Sequence, residues 1–190
     1  MSTPKVVLRA MVLAMAAMVV VWFLVGLLLA DTWQVVSVHR VAADETKIAA
    51  LVADLGSWQQ WSATDAKLGE PTTRAVEGAP ATIGHRLVWS GPLGKAMLTL
   101  TAVDAGAVEY RFGMQTGTAD QETARGSGRV QWRAAGGAVE VTWTDRGSWG
   151  SLAERWFGWF GALQERVRQF QVTSLQQLAA RVEANSSGGR

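Results

Sequence analysis

Two histidines, one inward aspartate and ten tryptophans are the residues whose types and positions could carry chemistry in this chain. His39 and His85 each fall in a strand-like stretch. Imidazole titrates near neutrality, so either is a conceivable general base. Neither has a carboxylate at the spacing of a catalytic pair or a metal site, and both read as strand histidines with backbone partners. Asp145 shares the alternation parity of Trp143 and points to the covered side of its strand. There a carboxylate can orient a ligand hydroxyl or act as a base. The competing reading leaves Asp145 solvated at a pocket mouth, or paired with Arg146 or Arg155. Arg86 and Tyr110 complete the polar candidates. The sequence contains no phosphate-binding Gly-x-x-x-x-Gly-Lys loop, no Gly-x-Ser-x-Gly and no His-Glu-x-x-His. It has no cysteine, which removes disulfides, thiolate metal ligands and thiol nucleophiles. No catalytic residue, metal or cofactor is therefore assigned, and the balance leans away from an enzyme.

The aromatic residues are the stronger signal. Trp89, Trp132 and Trp143 fall on inward strand positions, and Trp149, Trp156 and Trp159 lie on or beside a closing helix. Indoles bring a large apolar surface and one donor that wants a partner. Simple core filling accounts for at least half of them. The functional alternative is a cavity for an apolar ligand. Its lining would be Trp89, Met97, Tyr110, Phe112, Met114, Trp132, Trp143, Asp145, Trp156 and Phe160, with flexible methionines suiting a permissive pocket.

These side chains need elements to position them. Residues 33–42 are rich in β-branched types and predict a first strand. Asp44 can cap a helix from Glu45 to about Leu55, whose apolar residues Ile48, Leu51, Val52 and Leu55 recur at three- and four-residue steps, and Gly56 ends it. SWQQWSA (57–63) follows as a short helix or turn. From Gly69 the period becomes two, and turn signals separate strands at about 68–75, 82–90, 95–103, 107–114, 122–134 and 138–146. Val108, Tyr110, Phe112 and Met114 share one face, as do Val130 and Trp132, and Val139, Val141 and Trp143. This is an antiparallel sheet with one face in water and one face covered. The cover is a proline-free helix over 151–184, weakened near its start by Gly158 and Gly161. Residues 185–190 are too small and polar to pack and are expected to be disordered.

Ahead of all this, residues 10–30 carry no charged side chain. As a helix they would extend roughly 30 Å, the thickness of a bilayer's hydrocarbon core. Lys5 and Arg9 precede the run and Asp31 follows it. The positive-inside bias then places 1–9 in the cytoplasm and the domain of 31–184 across the membrane. A cleaved signal peptide is the rival, but the apolar run is longer than its core usually is, and Leu28 occupies a position where cleavage wants a small residue. Trp33 falls where interfacial indoles anchor. Without Lys5 and Arg9 the chain has 16 basic residues against 16 acidic ones. Neutrality gives nucleic-acid binding no support.

The order of elements, and three segments in particular, resemble the START-like (SRPBCC) superfamily, often called polyketide cyclase/dehydrase and lipid transport. VAADETKIAALVADLGSWQQW matches its first helix and Trp-x-x-Trp-like turn, GHRLVWSG its glycine-started strand, and VEVTWTDRG its last strand. The chain departs from the pattern at Ala42–Ala43–Asp44, where members commonly carry Ala-Pro, and at Trp61–Ser62–Ala63, where they often carry Trp-Ser-Pro. The resemblance implies an α+β helix-grip fold, a curved antiparallel sheet wrapped around a long C-terminal helix. It also implies a hydrophobic small molecule or lipid as partner, held between sheet and helix. The expectation is a single-pass protein of a bacterial inner membrane, its domain on the periplasmic side, anchored through 10–30. Alternatives are a polyketide cyclase- or dehydratase-like enzyme and an interaction module with a filled core. Trp58 and Trp61 are expected to dip into the membrane interface. The sequence names no protein partner.

Overall fold

A computed structural model describes residues 4–63, 73–91, 94–115 and 123–187. Helix α1 (Pro4–Leu28) is followed by strand β1 (Thr32–Val41) and helices α2 (Glu45–Ala53) and α3 (Trp58–Trp61). Six strands come next: β2 (Thr73–Glu77), β3 (Arg86–Gly91), β4 (Gly94–Asp104), β5 (Ala107–Gln115), β6 (Thr123–Ala135) and β7 (Ala138–Ser148). Helices α4 (Leu152–Trp159) and α5 (Ala162–Ser187) close the chain. All seven strands form one antiparallel sheet in the order β1-β7-β6-β5-β4-β3-β2. The first strand returns to pair with the last, and the remaining neighbours are consecutive hairpins. The result is an α+β fold, a curved sheet covered by a long C-terminal helix, with an apolar helix in front.

Alternation sets the inner face. Val108 and Tyr110 of β5, Val130 and Trp132 of β6, and Val139, Val141 and Trp143 of β7 are all buried. They meet a stripe of α5 formed by Gln171, Ser174, Leu175, Leu178, Ala179 and Val182, whose three- and four-residue steps put them on one helical face.

The short helices explain how the interior is sealed. Asp44 occupies the N-cap position of α2 in extended geometry, but its side chain makes no capping bond. At the other end the Trp58 and Trp61 indoles donate to the carbonyls of Val52 (2.8 Å) and Leu51 (3.3 Å). The end of α2 thus finds donors for carbonyls that a helix leaves open. Both tryptophans are buried in the core rather than at a membrane interface, which corrects the expectation for them. An indole that satisfies a helix end from inside cannot also reach lipid.

Several boundaries differ from the sequence reading. Strand β2 begins at Thr73, and the earlier part of the expected strand 68–75, including Pro71, lies outside the described residues, as do Thr116–Gly117 and residues 188–190. His85 precedes β3 rather than lying within it. The closing helix breaks at 160–161, where Gly161 adopts φ +70, a left-handed conformation that side chains disfavour. Helix α5 runs on to Ser187, into the segment expected to lack structure, since extending a formed helix costs far less than nucleating one.

Candidate functional site

The inner face carries a polar cluster beneath an aromatic end. In the register, Tyr110 of β5 lies opposite Gly128 of β6, which lies opposite Asp145 of β7. A Cβ on Gly128 would sit 2.1 Å from the Tyr110 ring and 2.3 Å from the Asp145 carboxylate. Only a bare backbone there lets the two side chains meet, and the Tyr110 hydroxyl donates to Asp145 Oδ1 at 2.5 Å. Gln171 of α5 donates to Asp145 Oδ2 at 2.9 Å, and the Trp143 indole donates to the Tyr110 hydroxyl at 2.6 Å. All four residues are buried. Gln171 Oε1 and the nearby-strand Ser37 Oγ have no hydrogen-bond partner.

The electrostatics follow from this burial. Asp145 is only 6% exposed, and its described partners carry no positive charge. Desolvation pushes its carboxyl pKa up, against the opposing pull of the hydrogen bonds from Tyr110 and Gln171. Burial, and then the neighbouring carboxylate, push the Tyr110 phenol well above its ordinary value. The sequence alternatives for Asp145, a solvated carboxylate or a pair with Arg146 or Arg155, are corrected. Arg146 faces outward on the pleat, while Asp145 faces α5.

One residue pair closer to α1, the inner-face row reads Phe112, Gly126, Gly147, Trp33. A Cβ on Gly126 would come within 2.5 Å of Phe112, and one on Gly147 within 2.7 Å of Trp33. The two aromatic rings therefore lie over a glycine floor, 6.4 Å apart between centroids, and Trp149 meets Trp33 at 6.3 Å. An open groove of about 660 Å³ lies across the same rows on the opposite, outward face of the sheet, lined by Gln34, Arg111, Ser127 and Arg146. Farther in, the space is filled. Trp143 contacts Trp58 (5.3 Å), Trp61 (5.9 Å) and Phe170 (5.5 Å), and Trp58 meets Tyr110 edge-on at 5.5 Å.

The ten candidate lining residues thus separate. Tyr110, Trp143 and Asp145 come together, with Phe112 one row away. Trp132 is buried on the same face, and Trp89 is half-buried on β3. Met97 is buried but lies opposite Gly113 and Val88, on the other side of the pleat from Leu98 and Phe112. Met114, near the end of β5, is 40% exposed, and Phe160, at the helix break, is 71% exposed. Trp156 stacks on Trp22 of α1 instead of joining the cluster.

The polar candidates outside the cluster have other roles. His85 is buried, its Nε2 receiving the Leu55 N–H at 3.0 Å and its Nδ1 3.1 Å from the Glu77 carbonyl. Asp54 Oδ1 lies 3.3 Å from the same Nε2, and these contacts make His85 a tie between the α2–α3 turn and the start of β3. Arg86 faces outward, 3.4 Å from Glu77. The residues that the sequence reading missed are Gln171, Gly126, Gly128 and Gly147. Their signal was present: the glycines share parity with Val130 and Trp143, and Gln171 falls on the apolar stripe of α5.

No protein-family model matches the sequence, and no curated protein does. Solved structures do match. Protein Ms6760 from Mycobacterium smegmatis shares 15% identity over 83% of this chain and 99% of its own, with a TM-score of 0.54. The Aha1 dimer from Colwellia psychrerythraea shares 12% over 80% and 96%, with a TM-score of 0.53. Ginseng major latex-like protein 151 from Panax ginseng shares 10% over 80% and 99%, with a TM-score of 0.54. At such identities the likeness is one of fold, the helix-grip α+β architecture.

Proposed function

We propose that this chain is a membrane-anchored binding protein for an apolar small molecule or lipid carrying one polar group. Helix α1 would span a bacterial inner membrane, with residues 1–9 in the cytoplasm and residues 31–184 forming the binding domain on the periplasmic side. The segment Val6–Leu28 is long and apolar enough to cross. The observation that carries the reading is the glycine-floored end of the inner face. Trp33 and Phe112 cover Gly126 and Gly147 there, with the Tyr110–Asp145–Gln171 cluster one row deeper. An apolar ligand that displaced those rings would meet apolar walls and, at its inner tip, the vacant acceptor Gln171 Oε1. Few polar groups at the base of an apolar site are what orient such ligands. Tethering fits this role, because an anchored site samples molecules dissolved in the bilayer at high effective concentration.

The packing of Trp58, Trp61, Trp143 and Phe170 favours a second reading, an interaction module whose interior takes no ligand. Native mass spectrometry of the detergent-solubilised full chain separates the two. A discrete added mass, one per chain and extractable into organic solvent, is the expected result. A bare chain mass, with no change in tryptophan fluorescence on adding lipids, would favour the filled core.

A further inference from the structure

Helix α4 leaves large apolar side chains uncovered beside α1. Trp159 is 65% exposed and Phe160 71%, and Leu163, at the start of α5, is 39% exposed. The same helix packs on α1. The Trp22 and Trp156 rings stack at 5.8 Å with planes 8° apart. A Cβ on Gly26 would lie 2.8 Å from both Leu152 and Trp156, so α4 sits directly against the glycine. Trp156 and Trp159 meet edge-on at 5.9 Å, and Trp159 meets Phe160 at 5.5 Å. One aromatic ladder thus runs from α1 out to the exposed rings.

The level of that contact decides what surrounds it. Trp22 precedes Leu28, the end of the apolar span, by six residues. At 1.5 Å per residue this puts it about 9 Å inside the span. Whatever surrounds α1 at Trp22 also surrounds Trp156 and the rings beyond it. We propose that α4 is a second membrane element, lying in the plane of the bilayer with Trp159, Phe160 and Leu163 among the lipid acyl chains of the leaflet on the domain's side. The inference rests on α1 being the anchor.

The local chemistry suits an interfacial helix. Ser151 accepts a bond from the Glu154 N–H at 3.2 Å, and Glu154 accepts from the Gly150 N–H at 2.6 Å, so the helix is capped at its polar start. Charges are confined to Glu154 and Arg155 near that start, and tryptophan and phenylalanine dominate the rest, the composition that partitions at the headgroup–acyl boundary. The left-handed Gly161 separates α4 from α5, so α4 can follow the membrane while α5 follows the sheet.

The cysteine-free chain permits a direct test. Full-length variants Leu13→Cys, Gln131→Cys, Leu163→Cys and Phe160→Cys are labelled with an environment-sensitive fluorophore, reconstituted into phosphatidylcholine nanodiscs, and quenched with doxyl-labelled lipids. Position 13 reports the anchor, and position 131, exposed on β6, reports bulk water. The expected result is several-fold stronger quenching at 160 and 163 than at 131, by shallow doxyl groups, together with deep quenching at 13. Quenching at 13 with 160 and 163 both as weak as 131 overturns the α4 inference and leaves the anchor standing. Absence of quenching at 13 overturns the anchor and the inference together.

Discussion

Tyr110 and Asp145 belong to strands that never touch, yet hydroxyl and carboxylate meet at 2.5 Å because the strand between them offers Gly128. The bond depends on a missing side chain. Gly128→Ala places a methyl group into both partners, 2.1 Å from Tyr110 and 2.3 Å from Asp145. Overpacking of this kind costs about 1–3 kcal/mol. Gly91→Ala, which would meet nothing within 4 Å, is the control. Denaturant titration should show a lowered midpoint for the first variant and little change for the second.

The buried carboxyl makes stability depend on pH. Desolvation raises the Asp145 pKa in the folded protein above its value in the unfolded chain, so the folded state holds this proton more tightly. The resulting stabilisation is fully present below about pH 4, the ordinary aspartate range, and is lost as pH rises through the higher folded value. Asp145→Asn has no proton to lose. Its amide oxygen accepts from Tyr110, and a flipped Gln171 accepts from its NH2. Thermal unfolding from pH 4 to 8 should show the unsubstituted protein losing stability relative to Asp145→Asn as pH rises. Parallel profiles would contradict this.

His85 holds the α2–α3 turn to the start of β3, and its removal should be felt in stability. His85→Ala strands the Leu55 N–H inside the protein and leaves a void where the ring was fully buried. The expected cost is about 2–4 kcal/mol. Any ligand the domain retains should still bind below the new unfolding midpoint, because His85 lies away from the Tyr110–Asp145 cluster. Loss of binding without loss of stability would give His85 the role denied to it here.

The fold was legible because its signals are periodic. Alternation in β5, β6 and β7 located the covered face, and the proline-free apolar stretch located the closing helix. The candidate site was legible only in part. Parity placed Asp145 inward, but its partners required register: which residue of β6 falls between β5 and β7 depends on the register and bulges of the sheet, including the shift between Phe112 and Gly113. Met97 and Phe160 show the same limit. Each is apolar in an apolar segment, but the pleat turns Met97 to the other face and the break at Gly161 leaves Phe160 outside. Trp58 and Trp61 looked like surface indoles in a short turn. Their burial depends on the open carbonyls at the end of α2, a tertiary fact with no local signature.

The proposed apolar ligand site lies at the α1-side end of the inner face. Photo-crosslinking in nanodiscs tests it most directly, with a diazirine-bearing fatty acid as probe and peptide mapping of the full-length chain. Labels are expected at Trp33, Phe112 and Trp149, competed by excess unlabelled fatty acid, in addition to labels on α1. Labels confined to α1 and α4, with none on the inner face of the sheet, would contradict it.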